Sequence, residues 1–379
     1  DGFVAPRPAF GNKQAATKLS MVEGAKPDLA LAQKLLCANV VAQSVDSTTS
    51  AYRTDGYYTG AGFTREPVVC MGGVKNNDCC IVSVIDNAIV IAYRGTTSAI
   101  TDWLIDAQVW HKPQAAGKFP GKLHSGFLAA TSHVWSKEAF MNAPLLMIAA
   151  LSDIKVPKHY ARDVVKQIMQ ETGINKIYVT GHSKGAAMAV LGAWFVKADL
   201  GIVPECYTFA APYAGNKEFA DAYNDVIPHF GYENFYDIVC LVPPPEPSYV
   251  TDISKLIARD IIPFNFKLTM GLGFAAIDGA GELLELTTGL FDYVPVGTRY
   301  VVKDGQVTVH PQDDNYGDAF EKYRDDRWKG IIANLQKLGS VTAVGKELGD
   351  QHSKECKSAN SYGVYMFSVD GQTGVCPKI

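Results

Sequence analysis

The chain has 379 residues, 47% hydrophobic and 20% charged, with a formal net charge of −4. That balance supplies no basic surface for a nucleic acid, so this partner class is excluded at the outset. No run approaches the roughly 20 apolar residues that span a bilayer; the apolar stretch Leu268 to Ile277 is bounded by Lys267 and Asp278.

Residues 1–26 read as a flexible or targeting-remnant N-terminus. Arg7, Lys13 and Lys18 stand there against Asp1, a basic, acid-poor start of the kind left by targeting segments. It resembles the plastid transit segments of some algae, which implies a secreted protein or one in an endomembrane or plastid lumen after signal cleavage. Residues 27–379 read as one domain, since single α/β domains with insertions reach this size.

Pro27 to Ser44 spaces Leu29, Leu31, Leu35, Leu36, Val40 and Val41 at helical intervals. Ile81 to Tyr93 reads as a hairpin turning at Asp86-Asn87-Ala88. Asp163 to Glu171 is a helix stopped by Gly173. A strand Lys176–Thr180 and a buried helix Ala186–Val196 follow, then a strand from Cys206 to Ala211. A short helix Asn216–Tyr223 leads to a strand Phe235–Val242 that ends in three prolines. Strands separated by helices predict an α/β fold, mostly parallel and flanked by helices. Residues 248–296 break this rhythm and read as an apolar insertion. A second hairpin spans Thr298–Val302 and Gln306–His310 around Asp304-Gly305, and Asp318–Leu338 is a helix.

The eight cysteines suit disulfides in an oxidising compartment. Cys70, Cys79, Cys80, Cys356 and Cys376 lie in polar or Gly-containing stretches that favour bridges. Cys206 and Cys240 lie in apolar runs where a bridge and a buried thiol are equally expected. No cysteine–histidine spacing suggests a structural metal.

The chemistry centres on Gly181-His182-Ser183-Lys184-Gly185, a G-x-S-x-G pattern between an expected strand and an expected helix. That context is what a nucleophile elbow needs: the turn lifts Ser183 Oγ clear of the backbone, and the helix start supplies N–H donors and partial positive charge. His182 adjoins the serine but, on a tight turn, points away from it, so its role is structural. A serine hydroxyl requires a base and an orienting acid, in the chain order Ser, acid, His. Asp237 sits just before the proline-rich loop and is the leading acid. Asp221 and Asp225 lie on an expected surface helix, and Glu246 is the fallback. Downstream only His310 and His352 remain, and position alone leaves both open.

Six motifs in order then resemble the class 3 lipases, the family of the filamentous-fungal triacylglycerol lipases. They are Ala92 to Ser98 with Asp102 to Asp106, Leu123 to Phe127, and Val179 to Gly185; Thr208 to Pro212 follows, then Asp237-Ile238-Val239 with Pro243-Pro244, and Arg299 to Val302 with Gly305. Together they span roughly residues 75–360. The resemblance implies an α/β-hydrolase fold with Ser183 as nucleophile and Asp237 as acid. It favours His352 as base over His310. It further implies an oxyanion hole of Thr96 and Lys184, with Arg94 and His124 structural. A lid over Ser98–Val109 would contact substrate through Ser98, Trp103, Leu104 and Ile105. Its apolar face prefers lipid to water, which implies a lipid ester substrate met at an oil–water or membrane interface, with peripheral membrane contact. No cofactor or metal is implied.

Two departures stand out. Lys184 replaces the family's usual Leu and resembles a smaller bacterial and algal branch; a cation at a helix start should pair with an acid or an anionic head group. The usual aromatic spacing after the histidine is absent around His352. The expected activity is hydrolysis of acylglycerol esters through an acyl-enzyme. Phospholipase A1, galactolipase and feruloyl esterase activities are the alternatives within the family, and an inactive lipase-like binding protein is the alternative outside enzymes. Gly271 to Ala276 spells G-x-G-x-x-A, but it comes late and lacks a second βαβ unit, which argues against a nucleotide site.

Overall fold

The structure is a computed structural model that describes residues 27–96, 113–115, 117–143, 153–243, 249, 252, 292–304, 306–338 and 340–352. The expected N-terminal tail, the lid, most of the 248–296 insertion with its G-x-G-x-x-A run, Glu246, Cys356 and Cys376 lie outside these residues.

The chain enters through helix α1 (Leu29–Gln43), capped by Asp28, whose side chain accepts from the Leu31 N–H. A short α2 (Gly56–Ala61) leads to the antiparallel strands β1 (Phe63–Val74), β2 (Asp78–Ile85) and β3 (Ala88–Tyr93). Asp86 and Asn87 both take positive φ, the conformation of a two-residue hairpin turn whose twist matches the strands. The small pair β4 (Pro113–Ala115) and β5 (Lys122–His124) precedes α3 (Ser125–Trp135) and α4 (Lys137–Met141). Then come β6 (Ile154–Lys155), α5 (Ala161–Thr172), β7 (Ile177–His182) and α6 (Lys184–Leu200). Strand β8 (Glu205–Phe209), α7 (Lys217–Asn224) and β9 (His229–Asn234) follow, and β10 (Thr298–Lys303), β11 (Gln306–His310), α8 (Asp318–Gln336) and α9 (Val341–His352) close the described chain.

Nine strands form one sheet in the order β11-β10-β9-β8-β7-β3-β2-β1-β6. The central strands β3, β7, β8, β9 and β10 run parallel, and antiparallel strands flank them on both sides. This is the mixed α/β architecture expected. Strands β2 and β3 are buried along their whole length, as a sheet covered on both faces demands. One face packs on α3, α5, α6 and α8; the other packs on α1. Helix α6 is buried almost all round, and Gly192 allows it to approach β3, since a Cβ there would lie 2.4 Å from the Tyr93 hydroxyl.

Two expectations are corrected. Cys70, Cys79 and Cys80 form no disulfide; with Cys37, Cys206 and Cys240 they are buried thiols. Cys70 lies within β1 and Cys79 and Cys80 at the start of β2, where all three are buried in the core as small hydrophobes. Phe235–Val242 is also not a strand. Strand β9 ends at Asn234, and Ile238–Leu241 is a 3-10 turn capped by the Asp237 side chain.

Candidate active site

The parallel strands deliver their C-terminal ends to one edge of the sheet, where α/β proteins place their chemistry. Strand β7 ends there at His182, and Ser183 follows with φ 60° and ψ −133°. A non-glycine residue held at positive φ is strained, and such strain persists only where the surroundings over-determine it. The reason is local. A Cβ on Gly181 would lie 2.0 Å from the Gly185 carbonyl oxygen, and one on Gly185 would lie 2.3 Å from that of Tyr93. Only glycines let the strand, the turn and the helix approach so closely. The Ser183 N–H donates to the Phe209 carbonyl at 3.0 Å, which ties the elbow to β8.

Ser183 is 2% exposed, and its Oγ has no hydrogen-bond partner among the described residues. His352, the last residue of α9, is 5% exposed and its Nε2 likewise has none. Its Nδ1 donates to Asp237 Oδ2 at 2.8 Å, the donor role being forced by a carboxylate that only accepts. The His182 ring lies 4.8 Å from that of His352, and its Nε2 donates to the His352 carbonyl at 3.2 Å. The residue before the serine thus holds the histidine's backbone. Asn234 holds the preceding turn, donating Nδ2 to the carbonyl and side-chain oxygens of Gln351.

Asp237 is fully buried. It accepts from the Val239 N–H at 2.9 Å and from the Cys240 thiol at 3.6 Å. Burial alone would raise its pKa, but His352, the Val239 N–H and Arg327 together hold it below the usual carboxylate range. Arg327 on α8 shapes the surrounding loop. Its guanidinium donates to the carbonyls of Asn234, Phe235 and Asp237 and pairs with buried Glu233 at 2.5 Å. Four acceptors on one rigid fork suit arginine alone.

The loop after β3 lies against the elbow. A Cβ on Gly95 would sit 3.0 Å from the His182 carbonyl and 3.5 Å from Ser183 Cβ. Thr96 therefore stands beside Ser183, half-buried. Arg94 is fully buried and anchors the loop, donating to the carbonyls of Val45 and Asn76 and to the Ser47 hydroxyl. Lys184 opens α6, where an N–H has no intrahelical partner. Its ammonium pairs with Asp78 Oδ1 at 2.6 Å, and the other Asp78 oxygen meets His133 Nδ1 at 2.7 Å. Burial would push Asp78 up; the Lys184 and His133 partners win and hold it well below the usual range. This pairing with an acid inside the protein is one of the two roles expected for the lysine.

The remaining candidates sit elsewhere. His310 closes β11, its ring 4.2 Å from that of Tyr323, and burial holds its pKa down to about 4. His124 caps α3 by accepting from the Phe127 N–H. Asp221 on α7 accepts from Lys217 and Tyr316. Ser98, Trp103, Leu104 and Ile105 lie outside the described residues. No motif marked Asp78, His133, Glu233 or Arg327 beforehand, because each is held by a partner distant in the sequence.

Known proteins were compared with the chain. The family model Lipase (class 3) matches residues 90–246, which include Ser183 and Asp237 but stop short of His352. No curated protein sequence matches. Among solved structures, the Rhizomucor miehei triacylglyceride lipase is similar at 20% identity over 80% of this chain and 87% of that one, with a TM-score of 0.45. The lipase of Rhizopus microsporus var. chinensis is 17% identical over 84% and 87%, with a TM-score of 0.47. The mono- and diacylglycerol lipase of Aspergillus oryzae is 18% identical over 76% and 87%, also at 0.47. Over residues 90–246 the chain is similar to the class 3 lipases, and that match supports an ester hydrolase enzyme.

Proposed function

We propose that the chain is a serine acylglycerol lipase in which Ser183, His352 and Asp237 act as nucleophile, base and orienting acid. Ser183 Oγ attacks the ester carbonyl while His352 Nε2 takes its proton. Asp237 fixes the imidazole and stabilises its charged form. The tetrahedral oxyanion is held by the N–H groups of Thr96 and Lys184. His352 returns the proton to the departing glycerol oxygen, leaving an acyl-enzyme. Water then repeats the sequence, with His352 again as base, and releases the fatty acid.

One observation supports this reading above the others. Ser183 is strained, the His182 ring beside it in the chain lies 4.8 Å from the carboxylate-bound imidazole of His352, and the reactive atoms of Ser183 and His352 are each buried without a partner among the described residues. A buried polar atom left unpaired costs about 1–3 kcal/mol, and such costs gather at functional sites. The lipid preference rests on the class 3 match and on the apolar stretch Trp103-Leu104-Ile105.

A fluorophosphonate probe should label the wild type and fail on Ser183→Ala. Hydrolysis of a soluble ester should be abolished in His352→Ala and survive in His310→Ala; the reverse pattern removes His352 from the mechanism. Rates on emulsified triolein should exceed those on soluble short-chain esters and rise sharply at the interface. A preference for the soluble ester without that rise argues against a lipase.

A further inference from the structure

Gln43, the last residue of α1, grips the loop after β3 with both ends of its amide. Its Oε1 accepts from the Gly95 N–H at 3.0 Å, and its Nε2 donates to the Thr96 carbonyl at 2.7 Å. One helical turn earlier, Asn39 donates to Thr180 Oγ1 at 3.0 Å, three residues before Ser183. Helix α1 therefore lays two amides on one stripe, one bonded to each half of the site.

The two bonds of Gln43 have a specific geometric consequence. They fix the peptide plane that carries the Gly95 N–H and the one that carries the Thr96 carbonyl. Between them lies the plane that carries the Thr96 N–H. With both flanking planes held, and Arg94 pinning the root of the loop to Val45 and Asn76, that plane keeps only the crankshaft rotation of Gly95 ψ against Thr96 φ. An oxyanion donor has to stand 2.7–3.1 Å from where the charge develops, and a displacement of an ångström costs on the order of 10²-fold in rate.

We propose that Gln43 is a positioning residue that aims the Thr96 N–H at the oxyanion. The proposal rests on the reading of Ser183 and Thr96 given above. Gln43 is exposed, so each of its bonds is traded against water and contributes little to stability. Its effect belongs in the transition state.

The test uses the full chain, p-nitrophenyl butyrate as substrate and a boronic acid that forms a tetrahedral adduct on the serine. Gln43→Met keeps length and loses both bonds. Its kcat should fall about 10- to 100-fold with KM little changed, and the boronate inhibition constant should rise by a similar factor. Thermal unfolding should move by only a few degrees. Gln43→Glu keeps the acceptor for Gly95 but, when ionised, cannot donate to Thr96. Its kcat relative to wild type should rise as pH falls through the carboxyl's range, because the protonated acid donates again. The ratio cancels the titration of the base, which both proteins share.

If Gln43→Met keeps its kcat and boronate affinity, or if the Gln43→Glu ratio stays flat with pH, the proposal is wrong. Should Gln43→Met fail to fold, the ratio alone decides. Fluorophosphonate labelling of Ser183 in the wild type separates the two levels. Labelling with a normal Gln43→Met overturns only the positioning role; no labelling removes the reading beneath it.

Discussion

At the scale of single residues, the lysine after the serine is the departure from the fungal pattern that most needs a physical account. Its ammonium is mostly buried and pairs with Asp78, which is itself 7% exposed. Two charges out of water repay their desolvation chiefly through each other, with His133 on the other Asp78 oxygen. Removing one therefore leaves the other stranded. Lys184→Leu or Asp78→Leu alone should each cost about 3–5 kcal/mol in urea unfolding. The double replacement should cost less than either single change, because no unpaired charge remains. It places at position 184 the leucine usual in the class 3 lipases while keeping the backbone N–H there, so kcat on a soluble ester should stay within a few-fold of wild type. Additive single effects would mean that Lys184 and Asp78 do not depend on each other.

At the scale of elements, what the sequence showed and what it hid divide by the range of the interactions. Helices α1, α5, α6 and α7 and both hairpins follow from spacing, caps and turn residues, all local signals. The elbow was legible for the same reason, since its glycines and its strand–helix context are contiguous. The segment around Asp237 was misread because Phe235-Tyr236-Asp237-Ile238-Val239-Cys240-Leu241-Val242 has the composition of a strand. Arg327, some 90 residues later, takes the carbonyls that a neighbouring strand would otherwise pair. No local pattern announces such a partner. The same holds for α9, whose moderate amphipathicity gave no sign that it would carry His352 back over the sheet. The role of α8 is open to test. Arg327→Lys keeps the charge but offers a point donor in place of a fork. It should lower stability by about 2–3 kcal/mol, since several buried acceptors lose partners at ~1 kcal/mol or more each. It should also depress kcat more than KM, because Asp237 would lose its fixed loop. A variant that loses stability and keeps kcat would show that α8 supports the fold alone.

At the scale of the whole molecule, the buried titratable groups predict how the fold responds to acid. His229 is 3% exposed, its Nε2 is bonded to the Thr208 hydroxyl, and burial pushes its pKa down to about 3. In the unfolded chain a histidine takes its proton near pH 6.5. Between those values the unfolded state binds a proton that the folded state refuses. Stability therefore falls as pH drops below about 6.5, by up to ~1.4 kcal/mol per pH unit for this group. His310, held down to about 4 but less buried, adds a smaller slope in the same direction. Asp78 and Asp237 act lower down. Their folded pKa values are depressed, so their contribution is complete above the unfolded value of about 3.9 and is lost as pH falls through the folded ones. The loss of stability on acidification should thus begin near pH 6, before any carboxylate titrates. Urea midpoints measured from pH 8 to pH 4.5 should decline in the wild type and decline less in His229→Gln, which keeps an acceptor for Thr208 without a titrating proton. Equal slopes in the two proteins would mean that His229 is protonated inside the fold, which its apolar burial opposes.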